Sequence, residues 1–409
     1  MKFLFHFYDL DTRAGIQRAI CELANALVEQ GEQVVIANAS SRAECVFFLD
    51  DRVVVERTPY PEHKRSGPAA WLSKVLWAAR ELRALRTIVR RHRPSMIVDH
   101  GTAIGLVYPF ASLCGAPLVL QRHFPVANFP RGKILYRLLK PLSGRRVVVA
   151  LTEGIAADFR RLGYKRVVAI PNTIPATACA ASYSDAVPRT GLLIGRAVNV
   201  QKGFDLFLRA LAVTGMQGWR FTIVGPKIES DRLLIGLIRE FGLTEQVVLL
   251  PATDNPYGLI RKTSLVIVPS RYEGFPLVAL ESLSIGRPVL CSDADGLREA
   301  VTHDVNGLVF PCGDAGKLSE CLRRVRDEPE LLPVLAGNTS VGLEQYRRES
   351  VLRKWRSLAA SMASDDCADT SSSRRRFRLG ALRKPMRYAS RASLLHRAAR
   401  ELLWNSDRK

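Results

Sequence analysis

Glu273 and Glu281 are the two side chains in this chain from which a chemical argument can start. SLVIVPS, Ser264 to Ser270, is a β-branched run bounded by polar residues and reads as a buried parallel strand. Leu277 to Ile285 carries apolar residues at helical spacing, and Pro276 suits a first helical turn, where its missing N–H costs nothing. Glu273 and Gly274 therefore fall in the loop between a strand end and a helix start. Glu281 falls about one and a half turns inside the helix, roughly 8 Å along its axis. In an open α/β sheet that crevice is where ligands bind. The backbone N–H groups of Phe275, Leu277 and Val278 are expected to face it and to favour an anion such as phosphate. One carboxylate can then meet a sugar at the helix mouth, the other a group further back, such as a ribose. Taken singly, a loop acid and a solvated helix acid are the plainer readings. The coincidence of helix start, aromatic-Pro turn and second glutamate argues for a site.

Two cations belong to the same argument. GLLIGR reads as a strand ending in Gly195-Arg196, and Lys202-Gly203 opens a helix over Phe204 to Val213. Arg196 and Lys202 would set fixed positive charge and a helix N-terminus at a strand's carboxyl end, which is what a departing diphosphate requires. Two ordinary surface cations are the alternative. Asp293-Ala294-Asp295 has the letters of a D-x-D metal motif but follows the strand GRPVLCS. It is expected in a loop near the sugar, and no metal or cofactor is assigned.

EGFPLVALE, Glu273 to Glu281, resembles the E-x7-E signature of retaining glycosyltransferases of family 4. Upstream, IGRAVNVQKGFDLFLRA, IVGP and VVLLP fit the same family, as do GRPVLCSD, LREAV and NGLVF downstream. The resemblance is dense over residues 191–314 and looser in the amino-terminal half. It implies the GT-B fold, two Rossmann-like parallel-sheet domains facing across a cleft with a carboxyl-terminal helix crossing back. It also implies hexosyl transfer from a nucleotide diphosphate sugar, with front-face attack and retention. On that resemblance Arg196 and Lys202 bind the donor diphosphate. His123, after LVLQR, approaches the donor hexose, and His100, after MIVD, is a further acceptor or sugar contact. A lone loop histidine is otherwise simply solvated or capping. Gly15 fits a ligand-facing loop because a missing side chain lets backbone approach closely. Many relatives carry two adjacent glycines there, whereas this chain reads Arg13-Ala14-Gly15.

The positioning elements follow from the pattern of the whole chain. Its 409 residues, 47% hydrophobic, suffice for two α/β domains. Phe3 to Tyr8 as a strand, Ile16 to Glu29 as an amphipathic helix capped by Gly31, and VVIAN as a strand make a βαβ unit, so the sheet should be parallel. Further strands are expected at Cys45–Leu49, Val53–Glu56, Ser95–Val98, Pro117–Leu120, Arg146–Ala150 and Arg166–Ile170. The periodicity lapses over Pro171 to Thr190. The expected division is an acceptor-binding domain over 1–175, a linker over 176–190, a nucleotide-sugar domain over 191–342, a crossover helix over 343–363 and a basic tail over 364–409. SDDCADTSSS is expected to break the crossover helix. The loop Pro251 to Asn255 lies where relatives hold the nucleotide base.

Charge bears on partners. The net charge is +21, and residues 374–409 hold 12 Lys/Arg against 2 Asp/Glu. Such a balance suggests an anionic partner. Trp71 to Arg93 is a basic amphipathic helix, with Trp71, Leu72, Val75, Leu76, Leu82, Leu85, Ile88 and Val89 as its stripe and Glu81 as its lone acid. It reads either as a packed helix with a solvated face or as a contact with an anionic membrane surface. FPVANFPRGKILYRLLK, residues 124–140, reads as a lipid-facing acceptor lip. No run of 18 apolar residues occurs, and the first residues read as a strand and not as a signal peptide. Eight scattered cysteines suggest buried thiols in a reducing cytoplasm. The favoured reading is a cytoplasmic enzyme, peripheral on the inner face of the membrane. It would use a UDP-sugar and a lipid-linked saccharide in lipopolysaccharide, capsule or exopolysaccharide synthesis. A soluble glycan or glucan transferase is the enzyme alternative, and a non-catalytic sugar-nucleotide or anionic-polymer binder the other. No nucleic-acid signature accompanies the charge.

Overall fold

Runs that are apolar at every position cannot lie on a half-wet sheet; they need helices on both faces, and parallel strands supply that. The computed structural model describes residues 1–7, 10–12, 15–39, 45–59, 68–100, 117–123, 147–175 and 180–372. Strands β1 (Lys2–Phe7), β2 (Gln33–Asn38), β3 (Val54–Arg57), β4 (Met96–Asp99), β5 (Leu118–Arg122), β6 (Val147–Ala150) and β7 (Val167–Ala169) form one parallel sheet, in the order β3-β2-β1-β4-β5-β6-β7. Strands β8 (Val187–Ile194), β9 (Arg220–Val224), β10 (Val247–Leu250), β11 (Thr263–Val268), β12 (Val289–Ser292) and β13 (Gly307–Phe310) form a second, in the order β10-β9-β8-β11-β12-β13. In each the order reverses once, between β1 and β4 and between β8 and β11. Those are the switch points at which doubly wound sheets open a crevice.

Helices α1 (Gly15–Glu29), α2 (Pro68–His92) and α3 (Glu153–Arg161) cover the first sheet. Helices α4 (Asn199–Lys202), α5 (Phe204–Ala212), α6 (Arg232–Glu240), α7 (Pro256–Lys262), α8 (Leu277–Ile285), α9 (Asp295–Ala300), α10 (Ala315–Asp327) and α11 (Leu331–Gly337) belong to the second. Helix α12 (Arg348–Ser372) crosses back. Its Val351, Leu352, Trp355, Leu358, Ala359 and Met362 enter the same apolar cluster as Ile20, Leu23 and Leu27 of α1. Burying side chains of this size stabilises by about 2–3 kcal/mol each, which is ample to hold the crossing.

Several expectations are corrected. Cys45–Leu49 is not a strand: Cys45, Phe47 and Leu49 instead pack as irregular chain against the α1 core. Helix α12 does not stop at SDDCADTSS but continues to Ser372. Serine and aspartate lower helix propensity by only tenths of a kcal/mol per residue, too little to end a helix without Pro or Gly. On α2, Leu85, Ile88 and Val89 are buried as expected, but Leu76 is exposed and Glu81, expected on the solvated face, is fully buried. Strand β8 begins at Val187, inside the stretch expected as linker. The acceptor-lip segment 124–140 and the tail from 373 onward lie outside the described residues. Cys21 and Cys45 are thiols with sulfurs 3.3 Å apart, while Cys312 is exposed and not buried. Among the described residues no helix is long and apolar enough to cross a membrane.

Candidate active site

The loop after β11 carries Glu273, and several independent contacts fix it. Ser270 Oγ donates to Glu273 Oε1 at 2.7 Å, and Lys202 Nζ donates to the same oxygen at 2.6 Å. Arg271 N–H donates to the Gln201 carbonyl at 2.7 Å, tying this loop to α4. The Arg271 guanidinium grips Asp205 through two bonds of 2.8 and 2.7 Å, the fork geometry that best fixes a carboxylate pair. Gly203 between α4 and α5 has φ +67°, and a Cβ there would lie 2.0 Å from the Pro269 carbonyl oxygen, so only glycine lets the two loops close. Glu273 is 6% exposed. Arg196, directly after β8, is exposed on the other side of the same switch point.

Pro276 precedes α8 as its N-cap and makes no side-chain capping bond. The Leu277 N–H, expected to be free for an anion, instead donates to the Phe275 carbonyl at 3.0 Å. That tight turn takes one of the three expected donors away. The Phe275 ring packs edge-on against Tyr346 at 5.9 Å, so its side chain braces the turn. Glu281 is 2% exposed and not a solvated helix acid. Burial pushes its carboxyl up to about 7, against the pull of Arg18 and with a further push from Glu22. Asp293 is also structural in part, accepting the Cys312 N–H at 2.7 Å.

The amino-terminal half reaches this point directly. Gly15 opens α1 facing Leu277, whose Cδ1 lies 3.6 Å from where a glycine Cβ would stand. Arg18, one turn on, places a guanidinium nitrogen 2.9 Å from Glu281 Oε1. On another edge the Glu299 carboxylate accepts the Glu153 and Gly154 N–H groups at 3.1 and 2.9 Å, satisfying the open donors at the start of α3. The carboxyl ends of both sheets thus meet across one cleft.

His100 and His123 follow β4 and β5 and come together, their rings stacked at 5.5 Å with one hydrogen bond of 3.3 Å between His100 Nδ1 and His123 Nε2. Both are buried. Burial, then the charge of Arg122, pull His123 down to about 3, and burial likewise holds His100 well below the usual range. Both imidazoles are therefore neutral at pH 7, able to donate or accept one hydrogen bond but not to act as imidazolium acids. His100 Nε2 has no hydrogen-bond partner among the described residues.

Beneath them lies a cluster that the sequence reading missed. His6 on β1 sits between Asp99 on β4, at 3.3 Å, and Glu81 on α2, at 2.9 Å. Arg122 on β5 reaches Asp99 at 3.3 Å. All four are buried. Burial pulls the His6 imidazole down, but its bonds to Asp99 and Glu81 outweigh this and raise it to about 9. Two cations and two anions then balance. The signals were present: a histidine inside the apolar strand FLFHF, a single acid in an arginine-rich helix, and strands that end in Asp and Arg.

Two doubly wound sheets that present switch-point side chains to each other across a cleft define the GT-B class. Residues 186–339 match the family description "Glycosyl transferases group 1", and residues 14–173 match "Glycosyl transferase 4-like domain". The chain belongs to this glycosyltransferase family. It is 23% identical over 367 residues to an uncharacterized glycosyltransferase of Haemophilus influenzae, covering 87% of this chain and 98% of that one. It is 30% identical over 215 residues to the lipopolysaccharide core biosynthesis glycosyltransferase LpsD of Rhizobium meliloti, covering 51% and 61% respectively. Anabaena HepE, solved with UDP and glucose, shares the fold at TM-score 0.71 and 18% identity, over 88% of this chain and 100% of that one.

Proposed function

We propose that this glycosyltransferase moves a hexosyl group from a UDP-sugar, with retention at the anomeric carbon, to a lipid-linked saccharide in surface-polysaccharide synthesis. The amino-terminal half would hold the acceptor and the carboxyl-terminal half the donor. The observation that carries the reading is the Glu273–Lys202 pair at 2.6 Å, set at the switch point beside Arg196, with Glu281 buried in the helix that follows Glu273. Lys202 and Arg196 would take the departing diphosphate, where fixed positive charge is worth most as negative charge develops. Lys202 would leave Glu273 for the phosphate. Glu273 would then be free to hold a sugar hydroxyl and to stabilise the positive charge growing at the anomeric carbon. Glu281 would hold the ribose hydroxyls. His123, neutral, would hydrogen-bond the hexose, and His100 would present its remaining nitrogen to sugar or acceptor. Gly15, Gly274, Phe275, Pro276 and Leu277 would shape the phosphate end. Attack would come from the leaving-group face, with the diphosphate oxygen taking the acceptor proton, and closure of the cleft would exclude water. No metal is assigned a part.

The relatives named for UDP complexes and lipopolysaccharide synthesis support the donor and the pathway class. Thermal stabilisation by a panel of UDP-, GDP- and ADP-sugars tests the donor directly. A shift with UDP-sugars alone is expected, and a shift with GDP- or ADP-sugars alone would overturn that choice. Transfer to soluble glycans as good as to lipid-linked ones would defeat the acceptor assignment. Residues 374–409 are proposed to bind anionic membrane, each basic residue near the surface being worth about 1 kcal/mol. Their removal is expected to cut binding to phosphatidylserine-containing vesicles, and unchanged binding would refute the tether.

A further inference from the structure

Glu281 accepts more than the ribose reading requires. Its Oε1 receives Arg18 at 2.9 Å, and the Tyr257 hydroxyl stands 3.5 Å from the same atom. The Arg18 guanidinium also lies over the Tyr257 ring at 5.3 Å. Arg18 belongs to α1, on the opposite wall of the cleft, and its side chain is 20% exposed. A buried carboxylate needs a partner, and a cation from the facing wall supplies one. A ribose bound at Glu281 would direct its hydroxyls at that same carboxylate, and Arg18 would occupy its place.

Arg18 has a second partner within reach. Glu22 is four residues along α1, the spacing at which side chains on one helix face meet. Its carboxyl is raised, by burial first, and Arg18 is the leading opposing charge. The guanidinium can leave Glu281 for Glu22 by rotating about its own side chain, without becoming a bare charge. The planar head that slides over Tyr257 keeps its ring contact for part of the way.

We propose that Arg18 fills the ribose subsite in the donor-free enzyme and that the donor displaces it onto Glu22, so that this arginine sets donor affinity and requires ribose hydroxyls for entry. The proposal rests on the assignment of Glu281 to the ribose. A site free for only about one-tenth of the time weakens apparent affinity about tenfold, and that is the scale of effect at issue.

The test is calorimetric binding of UDP, or of whichever nucleoside diphosphate the sugar panel selects, to the full chain and to Arg18→Ala, Arg18→Lys, Glu22→Gln and Glu281→Gln, each first checked by thermal melting. Arg18→Ala is expected to bind UDP roughly tenfold tighter. Arg18→Lys, which keeps the charge but loses the planar head, should fall between it and the parent and gives a reading if the alanine variant does not fold. Glu22→Gln, which removes the landing place, should bind UDP several-fold more weakly. 2′,3′-Dideoxy-UDP, which lacks the hydroxyls that displace Arg18, should bind the parent more weakly than UDP and gain at least as much from Arg18→Ala. Unchanged or weaker UDP binding by Arg18→Ala and Arg18→Lys overturns the proposal, as does a dideoxy nucleotide that gains nothing from Arg18→Ala. Glu281→Gln made in the Arg18→Ala background separates the two ideas: if it leaves UDP affinity unchanged there, the ribose assignment itself has failed.

Discussion

The two switch points answer the same geometric problem with opposite means. At the first, between β1 and β4, His6, Glu81, Asp99 and Arg122 are built into strands and a covering helix, sealed from water, and paired with one another. At the second, between β8 and β11, Lys202, Ser270 and Glu273 hang on loops and helix ends, and Arg196 is open to solvent. A buried ion network costs desolvation on every member and holds only while all are satisfied. A loop-borne pair is cheaper to rearrange, since Glu273 keeps the Ser270 hydroxyl as a donor when Lys202 gives it up for another anion. The first therefore serves as a rigid floor under His100 and His123, and the second as the part able to exchange partners during a reaction.

Removing one member of the floor should produce the largest effect. Glu81→Ala leaves a protonated His6 buried with one partner fewer, and breaking such a network costs about 3–5 kcal/mol. Urea unfolding near pH 7 reads this, and a loss within experimental error would show that the floor is not a network. The sign with pH is fixed by His6. Its raised value means that its stabilisation is complete below about 6.5 and is lost as pH rises through about 9. The gap between parent and Glu81→Ala should therefore narrow toward pH 10. At the exchangeable site the expected loss is kinetic. Glu273→Ala should reduce transfer by about 10²–10³, the scale of one electrostatic group acting on a transition state, while nucleotide binding falls little. Equal losses in both would make Glu273 a binding residue only.

The contrast also explains what could be read from the sequence. The two glutamates of the second switch point lie on one contiguous stretch: strand, loop, glutamate, Pro-led helix and second glutamate fall within 23 residues, Thr263 to Ile285, and local periodicity reveals them, as it does the separate strand-to-helix turn that carries Arg196 and Lys202. The first is assembled from residues 6, 81, 99 and 122, which share no spacing, so only the fold brings them together. Alternating strand and helix patterns made the parallel sheets legible, because fully buried strands carry their signal in every residue. Glu81 was misplaced because a charge on a basic helix is ordinarily solvated, and the pattern of its own helix does not contain His6. The Arg18–Glu281 contact was invisible for the same reason, since it joins the two halves. Helix α12 outran its expected end because weak local breakers yield to propagation of a helix already formed.

A smaller effect separates Glu281 from both regions, since it sits within α8 beside the cleft and is as buried as the floor. With its carboxyl raised to about 7 by burial, the folded protein holds a proton there that the unfolded chain releases near 4.5. Stability is thus undiminished below about 4.5 and declines as pH rises through about 7, a penalty of about 3 kcal/mol in which the pull of Arg18 is already included. Glu281→Gln has no such titration. The difference in unfolding free energy between Glu281→Gln and the parent should swing in favour of the variant between pH 5 and pH 8, whatever its offset from the lost Arg18 contact. Saturating UDP should flatten the parent's slope, because ribose hydroxyls favour the charged carboxylate. A difference curve independent of pH would mean that Glu281 stays ionised throughout, held by Arg18 as firmly as the floor holds His6.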